Sequence, residues 1–205
     1  MAKIKLTKNE LKKQKDALKM FKRYLPTLQL KKQQLQAEIR GIEARARALA
    51  EERDRLDAEF VAWIAVFGET EAVRASDGLW LLKVRSIRTR VGNIAGVEIP
   101  VFEGADFSLE DYDLFVRPLW IDKALERLKA MLLLDLEIKV LDEQVARLSR
   151  ELRVTTQRVN LFEKVKIPET AENIRKIRIY LGDQQTAQVV RGKIAKRKVV
   201  ERESA

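Results

Sequence analysis

The chain has 205 residues, 35% of them charged, with a formal net charge of +10 and neither cysteine nor histidine. Lacking thiols and imidazoles, it has no disulfide framework and no thiolate nucleophile, and it lacks both the usual general base near neutral pH and the commonest metal ligand. Ala, Leu, Glu, Lys and Arg dominate over 8 Gly and 4 Pro, the profile of long helices or coiled coil.

Residues 1–23 form a basic arm, nine Lys/Arg against Glu10 and Asp16. From Leu11 a strict three-four spacing runs through Leu18, Phe21, Leu25, Leu28, Leu35, Ile39, Ile42, Ala46, Leu49, Leu56, Phe60 and Trp63 to Phe67, interrupted only by Gln14, Lys32 and Arg53. A sustained seven-residue repeat specifies a narrow seam and a left-handed supercoil, so a long partner helix is expected. The first helix is assigned to residues 1–75.

Residues 76–117 differ in composition. The glycines Gly78, Gly92, Gly96 and Gly104 and Pro100 fall here, with Gly68 just before and Pro118 just after. The run "KVRSIRTRVGNIAGVEIPVF" places β-branched residues on both sides of Asn93–Gly96, which predicts two strands and a turn. Val97, Ile99 and Val101 alternate, giving one strand face something to bury. In "SLEDYDLFVRP", Ser108 is expected to cap a short helix, with Glu110 and Asp111 in its first turn.

The seam resumes at Trp120 and continues through Ala124, Met131, Leu134, Ile138, Leu141, Val145, Leu148, Leu152, Val159 and Phe162, with Arg127, Thr155 and Lys166 as its polar members. Two such helices joined by a compact connector predict a mainly α fold: a long antiparallel two-helix coiled coil with a small β-hairpin-containing insertion, the second helix spanning 118–205. If Phe67 lies opposite Trp120 and the pairing stays constant, Pro26 faces the neighbourhood of Leu161 and Pro168 that of Lys19. Neither proline follows a capping residue. Beyond Pro168 the seam returns as Ile174, Ile177 and Leu181, one place later than strict extrapolation, which reads as kinks and a register slip rather than breaks. Constant pairing also sets Arg53 beside Asp135 as a register pair. It leaves the residues beyond Val190 projecting alone, a basic tip of Arg191, Lys193, Lys196, Arg197 and Lys198.

No apolar run approaches the roughly 18 residues of a membrane span, and Met1 leads into Lys3 and Lys5 without the apolar core of a signal peptide, so a cytoplasmic chain without membrane insertion is expected. "RGKIAK" holds Gly192 and Lys193 without the rest of a phosphate-binding loop, and the carboxylates of "EERDRLDAEF" alternate with arginines as solvated pairs do. Catalysis and cofactors are therefore not expected. A mechanical or architectural role is, with a coiled-coil nucleic-acid binder or a membrane tether with basic ends as the alternatives.

"TTQRVNLFEKVKIP" resembles the C-terminal signature of the central-stalk D subunit of V-type and A-type rotary ATPases, through Arg158, Val159, Asn160, Glu163, Ile167 and Pro168. "LQLKKQQLQ" (Leu28 to Gln36) is similar to that family's leucine-lysine segment, and "VGNIAGVEIP" (Val91 to Pro100) to its connector. The resemblance implies a non-catalytic rotor shaft in the soluble sector, peripheral to the membrane. It would transmit torque between the catalytic hexamer of A and B subunits, into which both helix ends reach, and the ion-translocating ring. The connector end would face the small stalk F subunit and the ring-seating C subunit, with Asn93, Gly96, Val97, Ile99, Pro100 and Val101 as contact candidates. No direct nucleic-acid partner is implied.

Overall fold

In the computed structural model, which describes residues 4–67, 81–113, 115 and 119–203, the chain forms α1 (Lys8–Phe67), β1 (Leu82–Ile94), β2 (Val97–Leu109), α2 (Ile121–Asn160), a π-helical turn (Leu161–Lys166) and α3 (Ile167–Glu203). Gly68, Gly78 and Pro118, the boundaries expected near 75 and 117, and the side chains of Trp63 and Phe67 lie outside the described residues. Thr7 opens α1: its Oγ1 accepts the Glu10 N–H at 3.2 Å, satisfying one donor of the first turn, where Glu10 also suits the helix dipole. Every seam position from Leu11 to Phe60 is buried or half-buried, so the seven-residue repeat does select the packed face.

Two compact units result, Gln33–Arg153 and Met1–Lys32 with Val154–Ala205. This grouping cuts across a division by chain order, because each unit draws on both long helical runs.

Within Gln33–Arg153, α1 and α2 run antiparallel. Leu35 and Ile39 pack with Leu148, and further along Arg127 reaches Glu59 at 3.7 Å. The β-hairpin lies along α2 on a second stripe of that helix. At the hairpin base Leu81 and Leu82 bury against Ile121 and Leu125, with Phe107, Leu128 and Leu132 around them. At the tip Ile99 joins Leu35, Ile39 and Leu148. Gln144 Nε2 donates to the Pro100 carbonyl at 2.5 Å. The lengths agree: Phe107 back to Pro100 spans roughly 24 Å of strand and Leu125 to Gln144 roughly 29 Å of helix.

The expected turn is present. Ile94 pairs with Val97, and Ala95 (φ 52) and Gly96 (φ 81) between them are both left-handed, the backbone of a two-residue turn matched to strand twist. The expected short helix from Ser108 is not. Ser108 pairs with Lys83 in the ladder, the Glu110 N–H donates to the Leu81 carbonyl at 2.9 Å, and residues 110–113 are non-helical. Continuing the ladder over α2 outweighs a local capping signal, since it satisfies backbone groups and packs Phe107 against the hairpin-base cluster at once.

In the other unit, Val159, Thr170, Ile174 and Ile177 are buried, and the Phe21 and Phe162 rings meet at 5.1 Å. Constant pairing would place Lys166, not Phe162, at that point, so the constant-pairing expectation fails here. Pro26 leaves α1 helical without interruption. The slip near Pro168 takes a definite form: the Ile167 N–H bonds the Phe162 carbonyl, an i→i+5 bond that accommodates one extra residue.

Candidate functional site

The resemblance-bearing residues surround that π turn. Val159 is 4% exposed and Ile167 half-buried, whereas Arg158, Asn160, Glu163 and Pro168 are exposed. Asn160 is the last residue of α2 and makes no side-chain cap. The segment thus combines two packing anchors with four surface groups at the change of helical bonding.

Arg53 Nε lies 3.8 Å from Asp135 Oδ1 across the two helices and 3.1 Å from Asp54 Oδ1 on its own helix. Nε is buried without an aligned hydrogen-bond acceptor among the described residues, so the attraction is coulombic rather than a formed hydrogen bond. With both side chains more than a third exposed, the pair contributes about 0–1 kcal/mol. A tighter cross-helix bond joins Arg45 to Glu137 at 2.6 Å. Sequence reasoning missed it by following the seam; the signal was the charge flanking the seam, where interhelical ion pairs form.

The connector candidates make contacts within the chain. Asn93 Oδ1 accepts the Gly96 N–H at 3.0 Å, shaping the turn. Ile99, Val97 and Val101 pack on the Leu35–Leu148 cluster, and the Pro100 carbonyl is bonded by Gln144. This apolar face, with Ile99 buried and Val97 and Val101 half-buried, holds the hairpin on the helices, while Asn93 and Gly96 at the turn are exposed. The exposed large apolar residues of the hairpin are Val84, Ile87 and Val91 on β1 and Leu109 at the end of β2.

At the hairpin base Tyr112 donates its hydroxyl to Asp122 Oδ1 at 2.6 Å, which with partial burial and the carboxylate charge raises the phenol to about 12. A folded value above the unfolded one of about 10 means that this bond stabilises the protein fully below pH 10. Its contribution falls as pH rises from there and is lost through about 12. In an absorbance titration, one of the three tyrosines should ionise late, and Tyr112→Phe should remove that late component.

The basic tip is fully solvated. Arg191, Lys193, Lys196, Arg197 and Lys198 are all exposed, and α3 continues helical through Gly192 to Glu203. The exposed stretch begins earlier than expected. Every residue from Gly182 to Arg202 is exposed, on all faces of the helix. The reason lies at the other terminus: α1 begins only at Lys8, and the last buried residue of α3 is Ile177, followed by half-buried Leu181. The exposed stretch, 182–202, is roughly 30 Å of helix. Such an end can act over a Debye length of about 8 Å on an acidic surface without docking in one geometry.

The chain matches the family model that describes the D subunit of ATP synthase over residues 10–197. It is 51% identical over 202 residues to the V-type ATP synthase D subunit of Borreliella burgdorferi, with 98% of each chain covered. It is 36% identical over 200 residues to that of Chlamydia trachomatis serovar L2, with 96% of each covered. The protein of the same name from Chlamydia felis is 34% identical over 203 residues, covering 97% of this chain and 95% of the relative.

Proposed function

The chain belongs to the ATP synthase D-subunit family, and from that membership we propose that it turns inside a catalytic hexamer of A and B subunits and carries torque to the membrane ring. As a D subunit it is a central-stalk component of a V-type rotary ATPase and is not catalytic itself. No described helix is long and apolar enough to cross a membrane. We place it in the soluble, cytoplasmic sector, held to the membrane through other subunits.

The observation that carries this reading is the solvated basic helix from Gly182 to Arg202. A bearing must be attracted to its housing without settling in one position. Exposed Lys and Arg meet that need: each surface pair is worth about 0–1 kcal/mol, so attraction is spread over many weak, exchangeable contacts. The hairpin seated on α2 is the region we assign to the F and C subunits. Since Val97, Ile99 and Val101 are engaged internally, β1 offers the better surface through Val84, Ile87 and Val91.

Neither the nucleic-acid nor the membrane-tether alternative finds support among the three relatives described above, each of which carries the D-subunit name. Co-expression with its neighbours tests the reading. A tagged chain should retain A, B and F subunits at physiological salt; recovery of nucleic acid instead, lost steeply as salt rises, would replace it.

A further inference from the structure

The two prolines in helical positions behave differently, and the contrast isolates a cause. Pro26 sits within α1, where the bonding pattern is uninterrupted and the seam passes from Leu25 to Leu28 without a shift. Pro168 follows a π turn, and there the seam shifts: Lys166 and Ile174 are eight residues apart where the repeat allows seven. A proline alone therefore does not produce a π turn in this chain. The extra residue does. The π turn is the form in which a helix holds one residue too many while both flanks keep their packing.

The turn is also less well packed than the helix on either side of it. None of its residues is buried, whereas Val159 on one side and Thr170, Ile174 and Ile177 on the other are at most 7% exposed. Passing from i→i+5 back to i→i+4 bonding leaves one carbonyl without its donor. Pro168 removes a further N–H, the one that α-helical bonding would aim at the Lys164 carbonyl. The Thr170 hydroxyl donates to the Lys166 carbonyl at 2.5 Å, a back-bond that weakens and bends helices. A ladder with missing rungs between two clamped flanks twists at the gap first.

We propose that Leu161–Lys166 is a one-residue insertion that serves as the torsionally soft joint of the stalk, the place where the long C-terminal helical run yields when load is applied. Its role under load rests on the shaft reading; its existence as a joint does not.

The test uses the full chain and two single-residue deletions at exposed positions, Glu163 inside the turn and Arg23 in α1. Removing Glu163 restores the seven-residue spacing between the flanking seam positions. The expected result is full helical content, a Tm within a few degrees of the parent, and amide exchange at the remaining residues of 161–167 slowed at least tenfold to match neighbouring turns. Removing Arg23 shifts the seam and should lower Tm far more. Pro168→Ala should retain the fast exchange, since the extra residue remains. The proposal is overturned if the Glu163 deletion is as damaging as the Arg23 deletion, or if parent amides at 161–167 exchange no faster than their neighbours. In the assembled complex, a probe on the stalk should show narrower torsional fluctuation in the Glu163 deletion than in the parent, and equal widths overturn the joint. Should the parent chain stay fixed to the hexamer during hydrolysis, the shaft reading fails instead, and the isolated-chain exchange still decides the joint.

Discussion

Leu148→Ala should lower the unfolding free energy by about 2–5 kcal/mol, a large part of the roughly 5–15 kcal/mol that holds a typical domain folded. Leu148 is 0% exposed and lies where α1, α2 and the hairpin tip meet, touching the cluster of Leu35, Ile39 and Ile99. Truncation removes buried methyl groups and leaves a cavity lined by three separate elements, none of which can close it without moving from its other contacts. Leu30→Ala is the control: at 56% exposed, off the seam, it should change stability by less than about 0.5 kcal/mol. Urea unfolding of the pair measures both. Similar losses for the two would mean that the cluster is not a principal support of its unit.

Truncation after Gln188 should leave folding intact and impair assembly. The described residues removed, through Arg202, are all exposed, so Tm should hold within about 2 °C, the shift expected when no buried area is lost. Association with the A and B subunits should slow by about tenfold or more at low salt, because six cations are lost against two glutamates. Changing Arg191, Lys193, Lys196, Arg197 and Lys198 to Gln separates charge from length. If charge steers the tip, the neutral variant behaves like the truncation at low salt and approaches the parent as salt rises. If the truncated chain assembles and couples like the parent at physiological salt, the tip is only a solvated helix end.

The legible parts of this protein were those governed by one periodicity. A narrow seam leaves a three-four signature that survives polar interruptions, and Gln14, Lys32 and Arg53 all occupy half-buried seam positions as the spacing requires. The turn at Ala95–Gly96 was legible for a similar reason, since two left-handed residues between β-branched runs need short or absent side chains. The second stripe of α2 was harder. Consecutive apolar residues from Met131 to Leu134 exceed what one seam can use, and they marked a helix packed on two sides. That surplus could have placed the hairpin along α2 with Ile99 buried beneath it.

Ser108 shows the opposite failure: a local cap signal was real but weaker than the cross-strand pairing available to the same residues. The one-place slip beyond Pro168 was visible in the spacing, but a spacing does not say how the backbone absorbs it. That depends on which flanks are clamped, and Val159 and Ile174 are clamped through α1, which a reading along one helix does not contain.

The central claim is that this chain rotates as the stalk, and the absence of cysteine permits a direct measurement. Val91 on β1 is 74% exposed, so Val91→Cys provides a unique attachment point with little effect on packing. With the A and B hexamer fixed to a surface and a bead on that cysteine, ATP should drive unidirectional stepping of the bead that stops when ATP is withdrawn. A bead that stays at one angle while the same complex hydrolyses ATP would contradict the account.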